Sequence, residues 1–395
     1  MPRPVNSIPT TPGKWVSRRT ASARRHPLRR SLISALGVVA AVALASCSTV
    51  QETAASAPTR LAAGTEHSEC TPEGGAEYIC GVNNVEDFVR LPGDRLIGSD
   101  LAAPGKQGYL YLFGVDRTVH TISAEEIGIA PDPAYARCAG APDWTVFRPH
   151  GMDIATTTGD HATLYVVNHG GREAVEIFSV DLSVGDPTLT WTGCLTAPQD
   201  AWPDDVAALP DGGLLVTSLW DPRDEEKFQK AVEGEPNGEL LEWHADSGWT
   251  SLPTVAGRSG PNGVIVSPDG STVYLAAWSG KQLLTIDRTT DAVDTINLDY
   301  TPDNLTWAAD GKTIFVGGTT ANVKDALDCD TSPNVNCPWT GVRVDRFDPA
   351  SGTIDTLING NEFGEFGMTT GAIDLGDELW VNSYHSDRVA VFPLN

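Results

Sequence analysis

An all-β fold, a six-bladed β-propeller, is predicted by three features of the sequence. Short apolar runs rich in Val, Leu, Ile, Tyr and Trp recur at 109–115, 163–169, 213–220, 272–278, 313–319 and 378–384. Tight turns at 91–94 (LPGD), 209–212 (LPDG), 267–270 (SPDG), 308–311 (AADG) and 375–378 (LGDE) each lead into an apolar strand. Ahead of those turns, at a common spacing, stand the polar pairs Glu86-Asp87, Asp204-Asp205, Asn262-Gly263, Asp303-Asn304 and Thr369-Thr370. Strands this short, bounded by Gly, Pro, Asp and Asn, leave little room for helix. A fixed phase along the chain is the mark of a circular repeat, in which equivalent residues converge near one axis. A further turn within 157–167 (TTGDHATLYVV) supplies a sixth unit, with seven blades as the alternative count.

The chain of 395 residues opens with a segment that does not belong to this pattern. Residues 1–46 carry Arg3, Lys14, Arg18, Arg19, Arg24, Arg25, Arg29 and Arg30 with no acid, then an apolar run from Leu32 to Ala45. This is the layout of a secretory signal peptide. The run is shorter than the roughly 20 residues of a comfortable membrane span. Leu44-Ala45-Ser46-Cys47 resembles the bacterial lipobox, whose cleavage leaves Cys47 as a lipidated N-terminus; cleavage elsewhere and an uncleaved anchor are the alternatives. Arg29-Arg30 also faintly resembles a twin-arginine signal. Residues 47–69 are expected to be the lipidated cysteine and a flexible tether, rich in Ala, Thr, Ser and Glu without apolar periodicity. The protein is thus expected to be exported to the cell envelope and held at the membrane by its lipid.

Residues 70–395 are expected to form the propeller. Second strands of its units fall at 174–181, 282–291, 342–352 and 388–394. Two stretches interrupt the repeat, Asp221 to Glu239, charged and locally helix-competent, and Asn322 to Gly341, which carries Cys329 and Cys337, and both are expected to be loops shaping the mouth of a pocket. Closure of the ring is expected to come from strand pairing between the two ends of the domain.

Charge and cysteine content narrow the classes of function. The formal charge is −25, and loss of the eight basic residues of the leader leaves 19 basic against 52 acidic, a balance of −33. Such a surface repels nucleic acid and favours cations. Beyond Cys47 there are cysteines at 70, 80, 138, 194, 329 and 337, an even number in an exported chain, which reads as disulfides. Of the 15 possible connectivities, sequence proximity favours Cys70–Cys80 and Cys329–Cys337, with Cys138–Cys194 remaining. A thiolate metal site is disfavoured because no Cys-x-x-Cys spacing occurs.

The polar pairs carry the chemistry. Glu86, Asp204, Asn262, Asp303 and Asn304 offer hard oxygen donors from four units, a set that selects Ca²⁺ over zinc or copper. Singly, each would more simply cap a turn; the shared phase favours a metal. Asp87 and Asp205 adjoin two of these donors, and neighbouring strand residues face opposite ways. They point to a second, more buried ion, or else to acids satisfied by backbone N–H groups.

Further motifs add a family resemblance. Phe147-Arg148-Pro149-His150-Gly151-Met152 is followed by Val166-Val167-Asn168-His169-Gly170 and Val175-Glu176-Ile177-Phe178. With the acid and amide pairs in order, this resembles the paraoxonases, calcium-dependent lactonases and arylesterases built on six-bladed propellers, over the region from Cys80 to the end. The resemblance implies a catalytic calcium held by Glu86, Asp204, Asn262, Asp303 and Asn304. It also implies a structural calcium on Asp87, Asp205 and the carbonyl of Met152, and a catalytic histidine dyad of His150 and His169. The chain departs from the family at Asp204, usually Asn, and at Gly317-Gly318-Thr319-Thr320, where a further His is usual. The disulfide that joins the two ends in animal members cannot form, because no Cys lies beyond Cys337.

The function expected from this is calcium-dependent hydrolysis of a small-molecule lactone or aryl ester, with His150 activating water. No Gly-x-Ser-x-Gly elbow suggests an α/β-hydrolase. A gluconolactonase-like sugar lactonase and a non-catalytic, calcium-pinned propeller lipoprotein are the rival readings.

Overall fold

The computed structural model describes residues 70–183, 185–332 and 336–394. The leader, Cys47 and the tether lie outside the described residues. Six four-stranded antiparallel sheets make the propeller, one of them extended by a fifth, short strand. Blade 1 runs Val85–Leu91, Arg95–Asp100, Leu110–Gly114 and Val119–Ile122. Blade 2 comprises Pro149–Thr158, His161–Asn168, Ala174–Asp181 and Thr188–Thr196, with Gly128–Ile129 added in parallel at its edge. Blade 3 is Pro203–Ala208, Leu214–Ser218, Glu239–His244 and Gly248–Leu252; blade 4 is Pro261–Val266, Thr272–Ala277, Gln282–Asp287 and Val293–Asn297. Blade 5 is Thr301–Trp307, Ile314–Thr319, Val342–Asp348 and Thr353–Gly360. Blade 6 takes Thr369–Leu375, Glu378–Ser383 and Arg388–Pro393 from the C-terminal end, and Glu77–Cys80 from the N-terminal end pairs antiparallel with the last of them. The ring closes as expected, through strand pairing between the ends.

The strands read as nearly continuous apolar runs because each sheet is covered on both faces by its neighbours. The joint between blades 6 and 1 packs Phe88, Leu96 and Phe113 against Ile373, Trp380 and Val391. Phe113 meets Phe88 and Trp380 edge-on, at 5.3 and 5.9 Å between ring centroids. Comparable apolar cores fill the joints between blades 1 and 2, 2 and 3, 3 and 4, 4 and 5, and 5 and 6. The first insertion is helical where it is helix-competent, and the second holds more order than a loop. Each carries a short helix, Lys227–Glu233 and Val323–Asp330, and these pack with Leu219, Trp278 and Met368 in a further apolar cluster at one mouth of the axis.

A local feature of the innermost strands creates the site. In blade 1 Val85 pairs with Asp100 and Phe88 with Gly98, so Glu86 and Asp87 together oppose one residue. The same bulge recurs between Pro149 and Met152, Pro203 and Val206, Pro261 and Val264, Pro302 and Leu305, and Thr369 and Ala372. A bulge leaves backbone groups off the ladder and re-aims side chains. Here hydroxyls opposite the bulge take up freed amides: Asp87 N–H donates to Ser99 Oγ at 3.1 Å and Asp205 N–H to Thr217 Oγ1 at 3.0 Å. Two corrections to the sequence pattern follow. The pair in blade 6 is Thr370-Gly371, one residue later than Thr369-Thr370, and the pair in blade 2 is His150-Gly151.

Glycine at 151 is required by close approach. A Cβ there would stand 2.5 Å from Asp205 Oδ1 and 2.6 Å from the Asp204 carbonyl oxygen. Gly151→Ala is therefore expected to lower stability by about 1–3 kcal/mol, the usual cost of overpacking, as a reduced melting temperature.

Candidate active site

At the helix-bearing mouth of the axis lies a cavity of about 320 Å³. Glu86, His150, Asp204, Asn262, Asp303 and Thr370, one bulge residue from each blade, all line it. Its walls are mainly apolar, from Leu101, Trp202, Leu219, Trp220, Trp278 and Met368, and the two insertions contribute Phe228, Ala326, Leu327 and Asp330. Both insertions thus reach the pocket mouth, as expected of them.

Glu86 is the best-anchored of the donors. Its backbone carbonyl accepts from Asn304 Nδ2 at 3.0 Å, from Thr370 Oγ1 at 2.6 Å and from Asn382 Nδ2. Asn304 Nδ2 also donates to Glu86 Oε1 at 2.7 Å. Asn304 is thus drawn to Glu86, and its own oxygen remains available. Glu86 Oε2 and Asn262 Oδ1 are buried without a protein hydrogen-bond partner. Unsatisfied buried oxygens are costly, and two in one cluster of acids are the donor chemistry of a hard cation.

The acids at the floor are crowded as well as buried. Burial, then repulsion from Asp87, Asp303 and Asp204, raises the Glu86 carboxyl well above its ordinary value. Burial, then Asp303 and Asp87, does the same at Asp204. Asp303 is pushed up to about 8 by burial, against a hydrogen bond from Asn262 that acts the other way. Among the described residues, however, the ligand atoms of His, Cys, Asp and Glu that all lie within 4.8 Å of one another belong to Cys329, Cys337 and His385. Those two sulfurs are joined in a disulfide, so that cluster is not an available thiolate site. The axial carboxylates are spread more widely around the cavity floor.

The histidines stand beside these acids. His150 Nδ1 lies 2.9 Å from His169 Nε2, and His150 Nε2 lies 3.8 Å from Glu86 Oε2. The latter contact is not an ion pair, because burial, then His169 and Arg148, lowers the His150 imidazole well below its ordinary value and keeps it neutral. Burial followed by Arg148 lowers His169 likewise. His169 stacks on Trp202 at 4.2 Å and 15°, and Trp202 on Trp220 at 5.4 Å. Asn168 holds the turn: its Oδ1 accepts from Arg148 N–H at 3.1 Å and Gly170 N–H at 2.7 Å, while its Nδ2 donates to Glu176. Glu176, fully buried, also accepts from Arg172 and Trp191.

Asp87, Met152 and Asp205 line a different cavity, of about 280 Å³, together with Asp153. Their carboxylates staple blade to blade. Asp87 accepts from Phe88 N–H at 2.7 Å and Met152 N–H at 2.8 Å, and Asp205 from Val206 and Val264 N–H, both at 2.7 Å. A carboxylate has about four lone-pair sites, so two backbone donors leave room for a cation. Burial raises Asp87 to about 7, and burial followed by Asp87 raises Asp205 well above its ordinary value.

The disulfides Cys70–Cys80, Cys138–Cys194 and Cys329–Cys337 are all formed. Glu173, Trp202 and Asn382 are site residues that sequence reasoning did not assign, whereas Thr370, one of the phased pair of blade 6, lines the cavity. A repeated Pro ahead of the pair, at 149, 203, 261 and 302, is the signal that places His150-Gly151 in phase with the acid and amide pairs. For Trp202 and Asn382 no repeat supplies one.

The fold and the site together define a six-bladed propeller with an acid and amide floor under a histidine pair. Residues 145–362 match the family described as "SGL: SMP-30/Gluconolactonase/LRE-like region". That is more than half of the chain, and the protein belongs to this family. No curated protein matches the chain. Among solved structures, a gluconolactonase from Xanthomonas campestris is 18% identical, covering 83% of this chain and 96% of its own, with a TM-score of 0.48. A luciferin-regenerating enzyme is 12% identical, covering 81% and 96%, also at 0.48.

Proposed function

We propose that this protein is a calcium-dependent lactonase that also accepts aryl esters, in the manner of the paraoxonases its motifs resemble. The observation that carries the reading is the approach of His150 Nε2 to Glu86 Oε2, 3.8 Å apart on the cavity floor. A general base and the candidate ion site thereby address one small volume.

The donor set fits calcium. Glu86, Asp204, Asn262, Asp303 and Asn304 would hold it at the floor, and a second ion would take Asp87, Asp205 and the Met152 carbonyl. When bound, the ion at the floor supplies a Lewis acid that polarises the substrate carbonyl and stabilises the oxyanion. His150 takes the proton from water as that water attacks. His169 orients His150, and Trp202 holds the His169 ring in plane. The apolar walls exclude bulk water and accept the body of the substrate. Asn262, its oxygen without a protein partner, is positioned by the bulge that Gly263 allows.

The rival reading, a sugar lactonase, is favoured by the family match. The tryptophan-rich wall favours an apolar acyl group instead. A panel of γ- and δ-lactones, acyl-homoserine lactones, gluconolactone and aryl esters, assayed with and without chelator, separates them. Turnover of gluconolactone alone would select the sugar lactonase, and no calcium-dependent turnover at all would select the non-catalytic, ligand-binding propeller. Attachment to the envelope membrane through Cys47 belongs to the same proposal. Mass spectrometry of the mature N-terminus checks it, and a chain beginning at any other residue would overturn it.

A further inference from the structure

Behind the two histidines stands a third group that no motif assigns. Glu173 Oε2 lies 2.5 Å from His169 Nδ1, and His169 Nε2 lies 2.9 Å from His150 Nδ1. His150 Nε2 is left facing the cavity floor. A neutral imidazole has one N–H and one lone pair, and the partner of one nitrogen fixes the role of the other. With Glu173 ionised, its oxygen only accepts, so His169 carries its proton on Nδ1 and offers a lone pair at Nε2. His150 Nδ1–H then donates to that lone pair, and His150 Nε2 keeps its own lone pair toward the cavity. With Glu173 protonated, its O–H donates to His169 Nδ1 and every link reverses. His150 Nε2 then bears hydrogen. Neither ring changes charge between the two states.

We propose that Glu173 is the positioning residue that sets the tautomers of His169 and His150, and so decides whether His150 presents a lone pair or an N–H to a molecule in the cavity. This rests on the reading of His150 as the base. The surroundings fix the rings and leave only the protons to move. His169 is clamped by the stacked Trp202 ring, and the Glu173 backbone carbonyl accepts from Ala197 N–H at 3.0 Å. The turn between them is braced by Asn168 and by the Arg172–Glu176 pair.

The charged groups around Glu173 make both states accessible. Burial raises its carboxyl to about 7, while Arg148, ahead of the first strand of blade 2, acts the other way. Asp330, on the second insertion helix, faces Arg148 in turn. Arg172 is engaged by Glu176. His169 remains neutral. The base-competent tautomer is therefore the high-pH state, and turnover rises as pH passes through about 7.

The test reads the tautomer directly, by ¹⁵N NMR of histidine-labelled protein in saturating calcium chloride. The expected result is a His169 protonated at Nδ1 near pH 9 and at Nε2 near about pH 5. In Glu173→Ala this exchange is expected to vanish, kcat near pH 9 to fall about tenfold with KM little changed, and the limb of the rate profile near neutrality to disappear. Glu173→Asp is expected to restore both the exchange and the limb. A wild-type His169 without a proton on Nδ1 near pH 9, or an exchange that survives Glu173→Ala, overturns the inference whatever the activity. If no lactone or ester is turned over but the exchange follows Glu173, the hydrolase reading fails and the tautomer assignment stands.

Discussion

Glu86→Gln is expected to abolish tight calcium binding and to lower lactonase kcat by about 10²-fold or more, the scale of losing one electrostatic stabiliser of an oxyanion. The side chain enters the cavity floor from a bulge whose carbonyl is held by Asn304, Thr370 and Asn382, so the substitution leaves the backbone anchor intact. Gln can still place an oxygen toward Asn304 Nδ2, which then puts an NH₂ group where Oε2 was. A donor there opposes a cation instead of binding it. Because Asp87, Asp303 and Asp204 repel the carboxylate, the neutral variant is expected to melt no lower than wild type in chelator. Stability held or raised without calcium, with affinity and turnover lost, distinguishes a ligand from a structural acid. Asp204→Asn provides the contrast. It relieves the same repulsion but retains an oxygen donor, and is expected to weaken calcium binding about tenfold while keeping activity. Isothermal titration and a melting series with and without chelator check both. Calcium binding and turnover unchanged in Glu86→Gln would place the ion elsewhere.

The legible part of the site was its phase. Repeated pairs ahead of repeated turns specify a ring, and the described strands fall where the apolar runs do, with Glu77–Cys80 closing blade 6. Two-residue periodicity, however, assumes an unbroken ladder. Alternation does place Glu86 and Asp204 toward one cavity and Asp87 and Asp205 toward another; what it cannot show is the bulge that takes the backbone of each pair off the ladder. The Pro that recurs ahead of the pair at 149, 203, 261 and 302 is replaced by Thr369 in blade 6, where the apparent pair falls one residue early. His150-Gly151 carries neither acid nor amide and so does not read as the pair of blade 2. The helix-competent stretch of the first insertion does form a helix, Lys227–Glu233, while nothing local marks Val323–Asp330 in the second. Ala231 and Ala326 become buried only when both helices meet the tryptophans of the mouth. Glu173 and Trp202 were invisible for a related reason: their importance comes from contacts with His169 across a turn and across a blade joint, which no local pattern encodes.

His150→Gln is expected to lower kcat by about 10²- to 10⁴-fold, the range for loss of a general base, with calcium affinity within a few-fold of wild type. His150 is the blade 2 member of the six axial positions, and its ring lies in the cavity beside Glu86, while Gly151 lets the bulge sit against Asp204 and Asp205. Gln matches the imidazole in reach and preserves a hydrogen bond to His169, so packing against Trp202, 5.6 Å away, is largely retained. What it lacks is a basic nitrogen beside Glu86. His169→Gln is expected to cost less, about tenfold, because His150 keeps its nitrogen and loses only the partner that orients it. The order of the two effects is the discriminating result. If calcium alone performed the reaction on solvent water, both variants would retain kcat. If the pair were merely structural, both would lose calcium and melt early. Only a base oriented by its neighbour gives a large kcat loss at 150, a smaller one at 169 and intact ion binding at both.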